Sequence, residues 1–119
     1  MDQLFVVVGA VFALLGVAAG AFGAHALRDR LSVERLGTFE TAVRYQMYHA
    51  LGLLLIGVLQ LGGLATASGW LLVIGTLLFS GSLYALCLTG IRWLGAITPL
   101  GGLAWLIGWG LLVVAALSG

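Results

Sequence analysis

Two histidines, His25 and His49, are the residues of this 119-residue sequence with the most versatile chemistry. Histidine transfers protons near neutral pH and is the commonest metal ligand in proteins. If its neighbourhood is helical, His49 shares a helix face of about 100° with Tyr45 and Gln46. This face predicts either a polar site for a ligand, ion or proton, or a set of hydrogen bonds that hold neighbouring helices together.

A second polar face appears later in the sequence. Thr76, Ser80, Tyr84 and Cys87 fall within about 80° of one another on a helix. Two polar faces on adjacent helices most naturally meet inside a bundle, where they form a ligand site or interhelical hydrogen bonds of about 0.6 kcal/mol each. The candidate ligand-binding residues are His25, Tyr45, Gln46, His49, Ser80, Tyr84 and Thr98.

The sequence predicts neither a metal centre nor an enzyme. Its one cysteine, Cys87, excludes an internal disulfide and a cysteine-rich metal site, and the two histidines have neither a third ligand nor a haem-attachment motif. Asp29, Glu34 and Glu40 lie among the arginines, and no serine follows a strand in a nucleophile turn. We therefore expect no cofactor and no catalytic residue. A net charge of +1 without a basic patch also predicts no nucleic-acid partner.

The elements that must position these side chains are membrane helices. The chain is 62% hydrophobic and 8% charged, whereas soluble domains carry about 25% charged residues. Three stretches without charge, 3–27, 45–91 and 93–119, contain 25, 47 and 27 residues. A spanning helix needs about 20 apolar residues. The sequence therefore predicts one all-α domain over residues 1–119, a bundle of four transmembrane helices in the lipid bilayer.

Local signals suggest where these helices begin and end. Gly62, Gly63 and the small residues at 65–69 are predicted to separate the second helix from the third, which Trp70 then anchors at the interface. Pro99 suits the first turn of the fourth helix. The sequence Ala24-His25-Ala26 imitates a signal-peptide cleavage site, but the apolar run before it is too long, so we expect a retained first helix. The predicted helices cover about 4–27, 39–61, 70–89 and 98–117.

The connection between the first two helices is predicted to hold a short amphipathic segment at the membrane interface. Ser32 suits a helix N-cap and Glu34 the first turn after it. The segment either bends at Gly37 or continues straight into the second helix. Glu40 and Arg44 have the spacing and order of a favourable ion pair on a helix.

Four glycines of the first helix form a stripe within an arc of about 60°. Such stripes let two membrane helices approach closely. In a regular helix His25 projects about 180° away from the stripe. Either His25 points into the bundle and the glycines contact a second copy of the chain, forming a homo-oligomer, or the glycines face the bundle and His25 faces away from it. The four residues are Gly9, Gly16, Gly20 and Gly23.

Seven of the nine charged residues lie between Arg28 and Arg44, and Arg92 lies in the connection before the fourth helix. Both arginine-containing connections fall on one side of the membrane. The positive-inside rule predicts that this side is cytoplasmic and that both termini lie outside. We expect a multi-pass protein of a bacterial cell (inner) membrane.

Four strings carry a resemblance to a known family: GAFGAHAL at 20–27, TAVRYQMYHAL at 41–51, LFSGSLYAL at 78–86 and TPLGGLAWLIGW at 98–109. They resemble the domain-of-unknown-function 423 family, which includes the small bacterial YgdD and YwdK membrane proteins and animal transmembrane protein 256. The resemblance implies four transmembrane helices in a membrane and no established activity. It puts His25, Tyr45, Gln46, His49, Ser80, Ser82, Tyr84, Thr98 and Pro99 at signature positions.

Two functions are compatible with these observations. The first is a non-enzymatic scaffold or accessory protein that binds a lipid, a small molecule or another membrane protein, with a polar pocket in the half of the bilayer nearest the charged connections. The alternative is a small oligomeric transporter or proton-linked carrier. Four-helix drug exporters of the small multidrug resistance type use an acid embedded in the first helix, which this chain lacks, so a carrier would require Glu40 inside the bilayer.

Overall fold

The structure, a computed structural model, describes residues 2–118 and the side chains of residues 3–118. Four helices are long and apolar enough to cross a membrane, and no strand is present among residues 2–118. The predicted all-α membrane fold is confirmed. We call the four helices the first to fourth spans: Gln3–Leu27, Val33–Leu59, Leu64–Thr89 and Arg92–Ser118.

The first span is not a regular α-helix throughout. An α-helix over Asp2–Val17 is followed by a π-helical stretch, Ala18–Gly23, and a last α-helical turn, Ala24–Leu27. The sequence pattern predicts one regular helix here. The π-helical stretch is rich in alanine and glycine, and its wider turns change the direction in which the following residues project.

The second span is one continuous helix from Val33 to Leu59. It begins six residues before the predicted start at 39, because the predicted interfacial segment is its first turns, and it ends two residues before the predicted end at 61. The predicted cap is present, since the Arg35 amide N–H donates to Ser32 Oγ at 3.1 Å. Of the two alternatives for Gly37, the structure shows the continuous helix. This span is about 40 Å long at 1.5 Å per residue, about 10 Å more than the hydrocarbon core of a bilayer. Its first turns therefore extend toward the charged interface.

The third span begins at Leu64, six residues earlier than predicted. The chain turns in the short link before it, where Gly62 and Gly63 have φ values of 68° and 45°. Ser68 and Gly69 are buried packing residues inside the helix instead of turn residues. The Ser68 hydroxyl donates to the Gly108 carbonyl at 2.6 Å, and Gly69 lies against the Phe5 ring.

The second and third spans form a central pair, and the other two spans flank this pair on opposite sides. The first span packs along the second and touches the third only locally, and the fourth packs along the third. Within residues 2–118 the second and fourth spans have no close backbone approach. Two crevices result, one between the first and third spans and one between the second and fourth. The buried core between them is Phe5, Leu53, Ile56, Leu72 and Trp105.

The glycine stripe of the first span lies against the second span of the same chain. Gly9 faces the Ala50 carbonyl, and Gly16 faces Met47. Gly20 and Gly23 continue the contact toward Val43 and Phe39. The stripe therefore packs mainly within one chain: Gly9 and Gly16 are buried and Gly23 is half-buried, whereas Gly20 stays exposed. His25, in the last α-helical turn of this span, is exposed.

Candidate functional site

Gln46 is the polar centre of the region where the first three spans meet. Its amide Nε2 donates to the Phe12 carbonyl of the first span at 2.7 Å. Its Oε1 accepts from the Tyr84 hydroxyl of the third span at 2.6 Å. Only 5% of Gln46 is exposed. Because an unpartnered amide is costly in an apolar medium, this side chain holds the three helices in one register.

The other polar residues of the third span are also hydrogen-bonded internally. Ser80 Oγ donates to the Ala42 carbonyl at 2.7 Å and Thr76 Oγ1 to the Leu72 carbonyl at 2.8 Å. Cys87 Sγ donates to the Arg35 carbonyl at 3.3 Å. In the part of the chain that the structure describes, no buried side-chain nitrogen or oxygen lacks a partner.

A cavity of about 190 Å³ lies over this cluster, between the first and third spans. We call it the first crevice. Its floor is formed by Gln46, Thr76, Ser80 and Tyr84, and its walls by Phe12, Leu15, Leu77 and Gly81. Because the polar atoms of the floor are hydrogen-bonded to one another or to backbone carbonyls, the surface presented to a ligand is mostly apolar.

His49 lies on the other side of the central pair, toward the fourth span. Its ring is stacked on Trp105 with centroids 3.8 Å apart and planes 4° apart. Trp109 Nε1 donates to His49 Nε2 at 3.0 Å, and an indole N–H can only donate. The ring proton must therefore be on Nδ1, which donates to the Tyr45 carbonyl at 2.7 Å.

This arrangement uses both ring nitrogens of His49 and gives a neutral imidazole. A metal ion would have to displace one of the two hydrogen bonds. Among residues 2–118 no group of three or more histidine, cysteine, aspartate or glutamate side chains could hold a metal ion. The geometry assigns His49 to the packing between the second and fourth spans.

Tyr45 borders a second cavity, of about 610 Å³, between the second and fourth spans. Its ring is stacked on Trp105 with centroids 5.8 Å apart. We call this cavity the second crevice. It is lined by Thr41, Tyr45, Phe79, Pro99, Gly102, Leu103, Trp105 and Leu106.

Besides His49, two predicted site residues line neither crevice. The fourth span starts with a 3-10 helix, Arg92–Ala96, and becomes α-helical over Thr98–Ser118. The Thr98 hydroxyl, at the first α-helical residue, is 2.6 Å from the Ser82 hydroxyl of the third span. His25 Nδ1 is 3.2 Å from the guanidinium group of Arg28 at the exposed end of the first span. Both residues make local bonds near the charged end of the molecule.

The predicted Glu40–Arg44 pair lies on an exposed face beside the end of the first span, next to Gly20 and Ala24. No hydrogen bond or salt bridge joins the two side chains in the described range 2–118. The helical spacing is correct, but exposed long side chains gain little from pairing and keep their rotamer freedom.

The predicted polar cluster is thus divided in two. Gln46, Ser80 and Tyr84 lie together under the first crevice. Tyr45 lines the second crevice, and His49 packs against the tryptophans of the fourth span. The physical reason is the helical rotation of about 100° per residue. Since the second span is central, its successive residues contact different neighbours.

Sequence reasoning missed the partners of His49, Trp105 and Trp109. Tryptophan in a membrane protein is usually assigned to the water interface, yet these two lie one helical turn apart on one face of the fourth span and point inward. Their spacing of four residues is the signal in the sequence that could have identified them as one face of the helix. No signal in the sequence could have indicated the bond from Gln46 to the Phe12 carbonyl, because every residue has a backbone carbonyl that can accept.

The comparisons with known proteins agree with this membrane architecture. A family model described as "Protein of unknown function (DUF423)" matches residues 19–102. The chain is 50% identical to the UPF0382 membrane protein YwdK of Bacillus subtilis (strain 168), with 98% of each chain covered.

Two staphylococcal proteins are similar over nearly their whole length. The chain is 50% identical to a UPF0382 membrane protein of Staphylococcus epidermidis, with 98% of this chain and 97% of the relative covered. It is 49% identical to the UPF0382 membrane protein SH2409 of Staphylococcus haemolyticus, with 95% and 94% covered. No solved structure matches the chain significantly.

Proposed function

Because the chain belongs to the DUF423 family of membrane proteins, for which no activity is named, we propose a function from its geometry: it is a non-enzymatic protein that binds the acyl chain of a membrane lipid in the first crevice. The bacterial relatives support a bacterial cell membrane as its location. By the positive-inside rule the proposal orients the charged end toward the cytoplasm.

The observation that carries this proposal is the first crevice itself. Its volume of about 190 Å³ exceeds that of an engineered apolar cavity of about 150 Å³ that binds benzene. The crevice lies between two spans that hardly touch, along stretches of sequence without charge. A lipid tail is the apolar molecule that surrounds such a surface at that depth.

The floor of the crevice explains why a rigid pocket can persist there. Gln46 bonds to both flanking spans, so it holds them at a fixed separation without itself presenting an unpartnered group. Loosely held helices would close over an empty apolar gap to recover dispersion contacts. The polar cluster thereby supports binding of a tail, although its polar atoms do not contact the tail.

Gly81 offers a direct test. A Cβ atom at Gly81 would meet no atom within 4 Å, so Gly81→Phe fills the crevice without disturbing the backbone. Gly110→Phe is the matched control, since Gly110 is also open and lies on the fourth span away from this crevice. Native mass spectrometry from mild detergent measures the lipid that each protein retains.

We expect the wild-type protein and Gly110→Phe to retain the same number of lipid molecules. Gly81→Phe should bind one of these about tenfold more weakly, a loss of roughly 1.4 kcal/mol of binding free energy. Equal retention by all three proteins would contradict the proposal. A thermal unfolding scan of each variant shows whether any loss of lipid reflects misfolding.

A further inference from the structure

Two arginines from different parts of the chain meet at the charged end of the molecule. Arg35, in the first turn of the second span, and Arg92, at the start of the fourth, line one cavity of about 680 Å³. Glu34 also lines it, so the charged side chains of the lining sum to +1. Both arginines are exposed.

The Arg35 guanidinium group is positioned but not neutralised. The hydrogen bonds of Arg35 within residues 2–118 use its backbone N–H and carbonyl, which bond to Ser32 and Cys87. Its side chain lies over Gly90, where a Cβ atom would be 2.7 Å from a guanidinium nitrogen. Glycine at this helix end, with φ of 74°, therefore makes room for the arginine.

This cavity adjoins the second crevice. Thr38 lines the cavity, and Thr41 and Tyr45 line the crevice; the three residues lie on one helix face within about 60°. On the third span, Leu83 of the cavity and Phe79 of the crevice are one turn apart. The two form one groove, which we call the arginine groove.

The dimensions of the arginine groove match one leaflet of a bilayer. Ten residues separate Arg35 from Tyr45 on a continuous helix, which corresponds to about 15 Å. Half of the hydrocarbon core measures about the same. The groove is charged at the level of the lipid headgroups and apolar and aromatic toward the middle of the membrane.

We propose that the arginine groove binds one anionic phospholipid, with the phosphate between Arg35 and Arg92 and one acyl chain in the second crevice. Guanidinium groups bond phosphate oxygens in a fork geometry that suits this position. Basic pockets between membrane helices bind anionic headgroups elsewhere. This site shares no residue with the first crevice and does not depend on the function proposed there.

The headgroup arm of the test compares two double variants that each remove two positive charges. Arg35→Gln/Arg92→Gln removes the groove arginines, and Arg28→Gln/Arg30→Gln removes exposed arginines that do not line the groove. Each protein is exposed to equal amounts of phosphatidylglycerol and phosphatidylcholine with the same chains. Native mass spectrometry then measures the ratio of the two lipids retained.

We expect the preference of the wild-type protein for phosphatidylglycerol to fall about 25-fold in the groove variant, about fivefold for each contact between a groove guanidinium group and the phosphate that is lost. The control variant should keep most of the preference. An equal loss in both double variants would mean that general surface charge attracts the lipid, and would overturn the proposal.

The acyl-chain arm uses Gly102, which lines the second crevice and where a Cβ atom would meet no atom within 4 Å. Gly102→Phe should lower phosphatidylglycerol retention about tenfold, whereas Gly81→Phe, in the other crevice, should leave the preference for this lipid unchanged. If Gly102→Phe has no effect, the chain is not in the second crevice and the proposal fails. Loss only in Gly81→Phe would support the first crevice and refute the arginine groove.

Discussion

The two crevices lie on opposite sides of the same pair of helices, yet different interactions form them. Hydrogen bonds across three spans form the floor of the first crevice, with Gln46 at their centre. Stacked rings form the inner wall of the second, where Trp105 contacts both His49 and Tyr45. Adjacent residues of the second span, Gln46 and Tyr45, thus line two different crevices.

The difference follows from how closely the flanking spans approach the centre. The first span contacts the second through glycines, so a side chain as short as glutamine reaches across to a backbone carbonyl. The fourth span has no such approach to the second in the described residues. Only large rings such as Trp105 and Trp109 fill that gap. Helix spacing therefore determines which residue types can connect the spans.

The largest predicted effect on stability is that of Gly101→Val, which should push the fourth span away from the third and distort the second crevice. A Cβ atom at Gly101 would lie 2.7 Å from the Gly75 carbonyl oxygen, and backbone atoms cannot rotate away. Gly101→Val should destabilise the protein by about 3 kcal/mol, since overpacking of this kind costs 1–3 kcal/mol or more. Unfolding in mixed detergent micelles measures this free energy.

Gly102→Ala is the control for that experiment, because its new methyl group enters open space. Its free energy of unfolding should stay within about 0.5 kcal/mol of wild type. If Gly101→Val is equally stable, the close contact between the third and fourth spans does not hold the second crevice open.

A second prediction tests the stacked wall at His49. His49→Ala removes the ring stack on Trp105 and the acceptor of the Trp109 N–H. We expect a loss of about 2 kcal/mol, from about 1.5 kcal/mol for an aromatic pair and about 0.6 kcal/mol for a membrane hydrogen bond. Tyr48→Ala, which truncates an exposed ring with an edge contact to Tyr45, removes no hydrogen bond and should cost less.

Nitrogen NMR of the wild-type protein checks the same arrangement without a mutation. The His49 ring should show a protonated Nδ1 and an unprotonated Nε2. The opposite tautomer, with the proton on Nε2, would contradict the hydrogen bond from Trp109, because an indole N–H cannot accept a hydrogen bond.

A third prediction concerns the floor of the first crevice. Gln46→Leu removes the bonds to Phe12 and Tyr84 and should cost about 1.2 kcal/mol, at about 0.6 kcal/mol for each bond. Tyr84→Phe removes one of them and should cost about half as much. Unfolding measurements on both variants test this ratio, and equal losses would show that the Phe12 bond contributes nothing.

The fold could be predicted from the sequence because membranes restrict it so strongly. Long stretches without charge determine the number of spans, and Ser32 marks the start of the second. The predicted start of the third span was wrong because serine and glycine occur both in turns and at close helix contacts, so the sequence alone does not tell which role Ser68 and Gly69 have. Only their contacts with Gly108 and Phe5 distinguish the two roles.

Helical angles predict which residues of the candidate cluster are buried better than they predict how these residues group. Helical angles correctly identify Gln46 and His49 as inward-facing, since both are buried. Angles measured within one helix do not say which neighbour each direction meets. No sequence rule predicts the π-helical stretch before His25. Because this stretch changes the rotation per residue, angles counted along a regular first helix do not apply to His25.

The smallest predicted effect compares the two cavities of the described residues that have arginines in their linings. Glu40 and Arg44 line a shallow cavity between the first and second spans, and their opposite charges cancel, unlike Arg35 and Arg92 in the arginine groove. Arg44→Gln should therefore change stability by less than about 0.5 kcal/mol and leave the preference for phosphatidylglycerol intact. A loss of that preference comparable to the Arg35→Gln/Arg92→Gln variant would show that the whole charged end of the molecule attracts anionic lipid. An unchanged preference limits the selectivity to the groove, where two guanidinium groups face a single carboxylate.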